Sequence, residues 1–273
     1  RRASSSSWRR SSGGASMSAE PVPAEPAPAE PAPASVRPAR PVGRLGVIAC
    51  ETVVEEMRAF LPPEATVKTM DFGLHIFPER LRVALQAAID ELDADHDTIL
   101  LGYGQCARAI VGLCAEHAVL AVPATDDCIA IFLGSKAAYT AQQRAEAGTY
   151  YLTKGWIEVG DTPFSEYQRL VDRYGEAKAD RVTRLMLRNY RRLAFIHTGT
   201  GEPAEYVEHS QATAARFDLR FEEVQGKPDL VRKLVEGPWD EEIVAVPPGT
   251  TITDAHFGRI GAADCPPMPG LAR

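Results

Sequence analysis

The sequence predicts an α/β fold of two Rossmann-like halves with mainly parallel sheets and an interdomain cleft. Strand-sized apolar runs alternate with helix-period segments from Arg44 to Val246, the links between them are short, and glycines punctuate the strand-to-helix turns in GYGQC and HTGTGE. That alternation makes parallel pairing with right-handed crossovers the economical topology.

Taken in order, Arg44 to Cys50 (RLGVIAC) suits a buried strand, and Thr52-Val53-Val54-Glu55 has the capping-box spacing that starts a helix. Thr66 to His75 is a second strand. Pro78 opens a helix to about Leu92, with Leu81, Ala84, Leu85, Ala88 and Leu92 on one face. Thr98 to Gly104 is a strand followed by a helix to Glu116. Val119 to Ala124 is another strand, after which Asp126 or Asp127 caps a helix. GTYYLTKGWIEVG is a strand-like or looped connection, and one long amphipathic helix covers Ser165 to Tyr190. A second set follows: strand Leu193–Thr198, helix Pro203–Phe217, strand Leu219–Val224, helix Asp229–Val235 and strand Glu242–Val246.

The expected organisation is a tail at 1–43 rich in Pro, Ala and Ser, a first half at 44–148, a connection with the long helix at 149–192, a smaller second half at 193–257 and a loose tail at 258–273. The repeat PAEPAPAEPAPA favours extended conformations and offers nothing to bury. Arg1, Arg2, Arg9 and Arg10 lie among serines with no apolar run after them, which argues against a secretory or twin-arginine signal. An organelle transit peptide is the rival reading, and the residues before Met17 are given no structural role.

With 273 residues, 45% of them hydrophobic, the chain can bury a substantial core. A formal charge of -7 leaves no basic field to attract nucleic acid or an anionic membrane, so neither is expected as a partner. No apolar run approaches the roughly 18 residues of a membrane helix. Five cysteines without paired spacing point to reduced thiols and a cytoplasmic location.

Three of those cysteines share a topological position. Cys50 ends the first strand, Cys106 follows the third and Cys128 follows the fourth, so parallel pairing brings all three to the edge where α/β proteins bind ligands. Each precedes a predicted helix, whose N-terminus favours a thiolate. Three thiolates suit a zinc ion with an open position or an iron-sulfur cluster. Cysteines are also among the most buried residue types, so packing is the competing explanation. Cys114, in mid-helix, reads as core and Cys265, in the tail, as a spectator.

Further candidates for a fourth ligand or a substrate contact are His75, Tyr103, Asp126, Asp127, Lys154 and Trp156. A helix cap explains at least one of the two aspartates. Tyr150, Tyr151, Lys154 and Trp156 form an aromatic and cationic patch between the halves, suited to hinge packing or to substrate. Gly199-Thr200-Gly201 is either an anion nest or a plain turn, and Pro247-Pro248-Gly249 is a rigid turn expected at the cleft mouth.

The segments ACE, DFGLHIFPERLRVALQAAID, ILLGYGQC, VPATDDCIAIFLGS, GTYYLTKGWIE and WDEEIVAVPPGTTIT cover most of Arg44 to Thr253. In them the chain resembles the bacterial and archaeal family called domain of unknown function 1638. Where that family often has Gly after the cysteine of the GYG segment and Pro before the Gly-Trp pair, this chain has Ala107 and Lys154. The resemblance implies a role near corrinoid-dependent methyl transfer, with a corrinoid as ligand or a methyltransferase as partner, but no established reaction.

Two classes of function follow. One is a metal or cluster protein that binds or acts on a small-molecule substrate in the interdomain cleft. The other is a metal-free small-ligand module or an accessory of a methyltransferase complex.

Overall fold

The computed structural model describes residues 39–159, 162–199 and 203–258. Most of both expected tails, Cys265, and Thr200 and Gly201 lie outside the described residues.

β1 (Leu45–Cys50) is buried along its whole length, as an apolar run flanked by strands on both sides must be. α1 (Glu51–Met57) leaves it directly and leads to β2 (Thr66–Met70). A 3-10 turn (Phe72–Ile76) precedes α2 (Pro78–Asp93), which buries Leu81, Leu85, Ala88, Ile89 and Leu92. β3 (Thr98–Gly102) and β4 (Val119–Pro123) complete the parallel part of the first sheet, whose order is β2-β1-β3-β4-β8.

The chain steps from β1 to β2 on one side and then back across to β3 on the other. Right-handed crossovers running in opposite directions put α1 and α2 on opposite faces, and a crevice opens between the C-terminal ends of β1 and β3. Cys50 and Cys106 flank that switch point.

After β4 come α3 (Ile129–Leu133), α4 (Lys136–Ala145), β5 (Thr149–Leu152) and α5 (Lys154–Val159). Next are α6 (Pro163–Tyr174), α7 (Glu176–Leu187), β6 (Arg192–His197) and α8 (Ala204–Arg216). β7 (Arg220–Gln225), α9 (Asp229–Glu236) and β8 (Ile243–Val246) end the regular structure. β5, β6 and β7 form a second, wholly parallel sheet. The fold is therefore α/β with largely parallel sheets, as expected.

Several local expectations are corrected. The helix after β1 is capped at Cys50 rather than at Thr52, whose side chain is buried against Cys50. The second strand stops at Met70 because the Asp71 side chain accepts the Gly73 N–H and starts the 3-10 turn that carries His75. No helix forms between β3 and Glu116. Cys106, Ala107 and Arg108 are left-handed in succession and Gly112 has φ +99°, which breaks any helical run. That loop is instead tied down by Gly112 N–H to the Ile252 carbonyl and by Ile252 N–H to the Leu113 carbonyl. Cys114 is half-buried in it, with its backbone N–H and carbonyl both bonded to the Gln86 side chain.

The long helix is two helices, broken at Gly175 with φ +80°. The last strand, expected in the second set, pairs antiparallel with the free edge of β4, from Leu120 opposite Val246 to Pro123 opposite Ile243. Its reversed direction carries Pro247-Pro248-Gly249 to the sheet edge opposite the cysteines, where Gly249 N–H bonds to the Ala115 carbonyl.

A buried carboxylate fixes the entry to β4. Asp93, at the end of α2, accepts N–H bonds from Glu116 (2.8 Å), His117 (3.0 Å) and Ala118 (2.8 Å), and these bonds outweigh its burial and hold its pKa below 3.8. Asp93→Ala strands three donors and is expected to cost about 3 kcal/mol at neutral pH. Because the folded pKa is depressed, this contribution is present above the unfolded value and fades as pH falls below 3.8 through the folded value. Urea unfolding at neutral pH and at about pH 3 should therefore show the deficit of the variant shrinking in acid.

Candidate metal centre

Two loops at the C-terminal sheet edge are stitched together beyond the strands that deliver them. Gln105 N–H bonds to the Thr125 carbonyl (2.9 Å) and Cys106 N–H to the Asp126 carbonyl (3.1 Å), which continues the β3–β4 pairing into the turns. Gly104 allows the approach, since a Cβ there would lie 2.5 Å from the carbonyl carbon and oxygen of Asp127. Just past the seam the backbone turns left-handed at Cys106 (φ +44°) and Ala107 (φ +54°), a conformation costing side-chain-bearing residues about 1 kcal/mol each. Strain of this kind is held only where the surrounding contacts over-determine it.

The seam brings Cys106 beside Cys128, and the 3-10 turn after β2 brings in His75. A ring nitrogen of His75 and the Sγ atoms of Cys106 and Cys128 all lie within 4.8 Å of one another. His75 Nδ1 is 3.0 Å from the Phe72 carbonyl oxygen. A carbonyl can only accept, so Nδ1 carries the proton and Nε2 presents a lone pair. That Nε2 is buried, has no nitrogen or oxygen partner among the described residues, and interacts with the Cys128 thiol. The neighbouring Tyr103 hydroxyl and Gln105 Nε2 are also buried without partners, so orphaned polar atoms gather at this site. The Tyr103 ring stacks on His75 with centroids 5.7 Å apart.

Cys50, the third expected cysteine, reaches the same sheet edge but lies outside this close group. Its Sγ is 3.4 Å from the Thr52 hydroxyl. It is near enough to Cys128 for their charges to repel, and with Cys106 and Cys128 it surrounds Tyr103 electrostatically.

Surroundings oppose the expected thiolate form at two of these cysteines. Desolvation pushes Cys50 up to about 11 despite its place at the start of α1. Contact with the Cys106 thiol, followed by burial, raises Cys128 well above 9.0. The helix after Cys128 has only five residues, a weak dipole against full desolvation. Burial opposes protonation of His75, but contacts with Cys128 and the Phe72 carbonyl prevail and raise its pKa above 6.5.

The other candidates divide. Asp127 accepts the Ile129 N–H (2.9 Å), as a cap should, and also the Tyr139 hydroxyl at 2.6 Å. Burial raises its pKa. Asp126 is exposed. Lys154 pairs with Glu158 at 3.9 Å on α5. Trp156 is buried, edge-on to Phe132 (5.4 Å between centroids) and 6.4 Å from Phe72, whose other neighbour is His75.

Beside Trp156 and Phe72 a cavity of about 340 Å³ opens, walled also by Asp127, Tyr139, Gln143, Tyr150, Tyr151 and Tyr190. Tyr139, Gln143 and Tyr190 were missed as site residues. The first two sit four apart on α4, facing Asp127 through a chain of hydrogen bonds, a spacing that in sequence looks like any helix face.

Fold and site together define a largely parallel α/β protein with a His-Cys-Cys cluster at the C-terminal edge of its first sheet. Residues 69–235 match the family described as protein of unknown function (DUF1638), and the chain belongs to that family. No curated protein and no solved structure matches it. No helix among the described residues is long and apolar enough to cross a membrane.

Proposed function

We propose that the protein holds a single zinc-class ion through Cys106, Cys128 and His75, with the fourth position left for a small substrate. The observation that carries this reading is the buried Nε2 of His75, held in ligand-ready form by its Nδ1–H bond to Phe72 and grouped with the Cys106 and Cys128 thiols within 4.8 Å. A carbonyl partner on the far ring nitrogen is the usual support of a metal-bound histidine.

A tetrahedral ion with Zn–S bonds near 2.3 Å spaces its sulfurs at about 3.8 Å, so a contraction of an ångström or so from the upper limit of 4.8 Å is enough. One nitrogen and two sulfurs suit zinc better than an iron-sulfur cluster, which prefers four thiolates. Such an ion supplies Lewis-acid activation of whatever occupies the open position. The protein's own part is to exclude water through Tyr103 and Cys50 and to orient His75 through Phe72. The corrinoid and methyltransferase links rest on the family resemblance alone.

Anaerobic purification followed by elemental analysis tests the assignment. Near-stoichiometric zinc is expected in the native protein and in Cys50→Ser, and loss of it in Cys106→Ser. Full retention by Cys106→Ser would overturn the ligand set, and absorbance near about 400 nm would point to iron and sulfide instead.

A further inference from the structure

The cavity beside the cysteine site has a composition that selects its ligand. Six of its lining side chains are aromatic: Phe72, Tyr139, Tyr150, Tyr151, Trp156 and Tyr190. Among the described residues, Asp127 is the one charged residue that lines the cavity, and no lysine or arginine lines it. Asp127 accepts a tyrosine hydroxyl and a backbone N–H but has no cationic partner among the described residues. The guanidinium of the buried Arg192 is taken up by Thr149, Glu222 and Gln142 and also interacts with Tyr151.

A half-buried carboxylate without a counter-charge, set among π-faces, is suited to a cation that sheds its water easily. An alkylated ammonium does so, whereas a metal ion or a bare ammonium does not. The Trp156 indole N–H, buried at the same cavity, has no hydrogen-bond partner among the described residues. At about 340 Å³ the space is near the lower end of small-ligand pockets and suits a ligand of roughly ten heavy atoms.

We propose that this cavity binds a small organic cation bearing an alkylated ammonium group, with Asp127 as its counter-charge and the tyrosines and Trp156 as its cage. Phe72, which touches both His75 and Trp156, sets the ligand against the cysteine cluster. That the cation is a substrate rests on the zinc reading, but its binding does not.

Isothermal titration of the full chain with choline, tetramethylammonium and the neutral isostere 3,3-dimethylbutan-1-ol tests the proposal, each run before and after chelator treatment. Both cations should bind, the neutral compound at least about tenfold more weakly, and the preference should survive chelation. Asp127→Asn and Tyr150→Leu should each weaken choline binding about tenfold. Tyr190→Ala, on the partly exposed rim, provides the same readout should Asp127→Asn disturb the fold. Equal affinity for the neutral isostere, or no binding of either cation up to about 10 mM with and without metal, would overturn the proposal. Zinc loss from Cys106→Ser with choline binding intact would uphold both readings separately.

Discussion

Zinc should bind this protein far more tightly at pH 8 than at pH 6, by about a hundredfold. The sign follows from the thiols. Contact with Cys106 and burial hold the Cys128 proton well above 9.0, so Cys128 is a thiol across this range and must lose its proton to ligate. That proton contributes about a tenfold gain in affinity per pH unit. Competition with a chromophoric chelator, corrected for the chelator's own protonation, measures the slope. An affinity flat across this range would mean that the thiols are not the ligands.

The same physics explains what the sequence could and could not disclose. Alternating short apolar runs and amphipathic segments made the parallel sheet legible, and with it the common edge of Cys50, Cys106 and Cys128, since only strand direction is needed for that inference. Which sulfurs meet is decided one level down. Cys106 and Cys128 are joined by backbone bonds between two turns, whereas Cys50 is drawn toward Thr52 by a helix that begins one residue after its strand. His75 enters through a 3-10 turn started by an aspartate side chain, in a stretch whose apolar residues read as a continuing strand. The loop after β3 was the least legible segment. Its apolar residues Ile110 and Leu113 are buried as a helix face would be, but three consecutive left-handed residues have no signature in composition. β8 resisted for a different reason: an apolar run of four residues fits either sheet, and only the unpaired edge of β4 decides.

Gly104→Ala should damage the site more than its single added methyl suggests. The new Cβ would be placed 2.5 Å from the Asp127 carbonyl carbon and oxygen and 2.7 Å from its Cα, all backbone atoms that no rotamer change can clear. Relief requires the two turns to part, which breaks the bonds from Gln105 to Thr125 and from Cys106 to Asp126 and moves Cys106 away from Cys128. The stability cost is about 3 kcal/mol, and metal retention should fall together with it. Gly175→Ala is the matched control. Its φ of +80° and ψ of 157° make the substitution strained, at about 2 to 3 kcal/mol, but nothing lies within 4 Å of the added carbon and the residue is on the α6–α7 break. Chemical denaturation together with zinc analysis separates the two: both variants lose stability, but only Gly104→Ala should lose metal. A Gly104→Ala protein that keeps its full zinc content would show that the seam between the turns does not set the sulfur geometry.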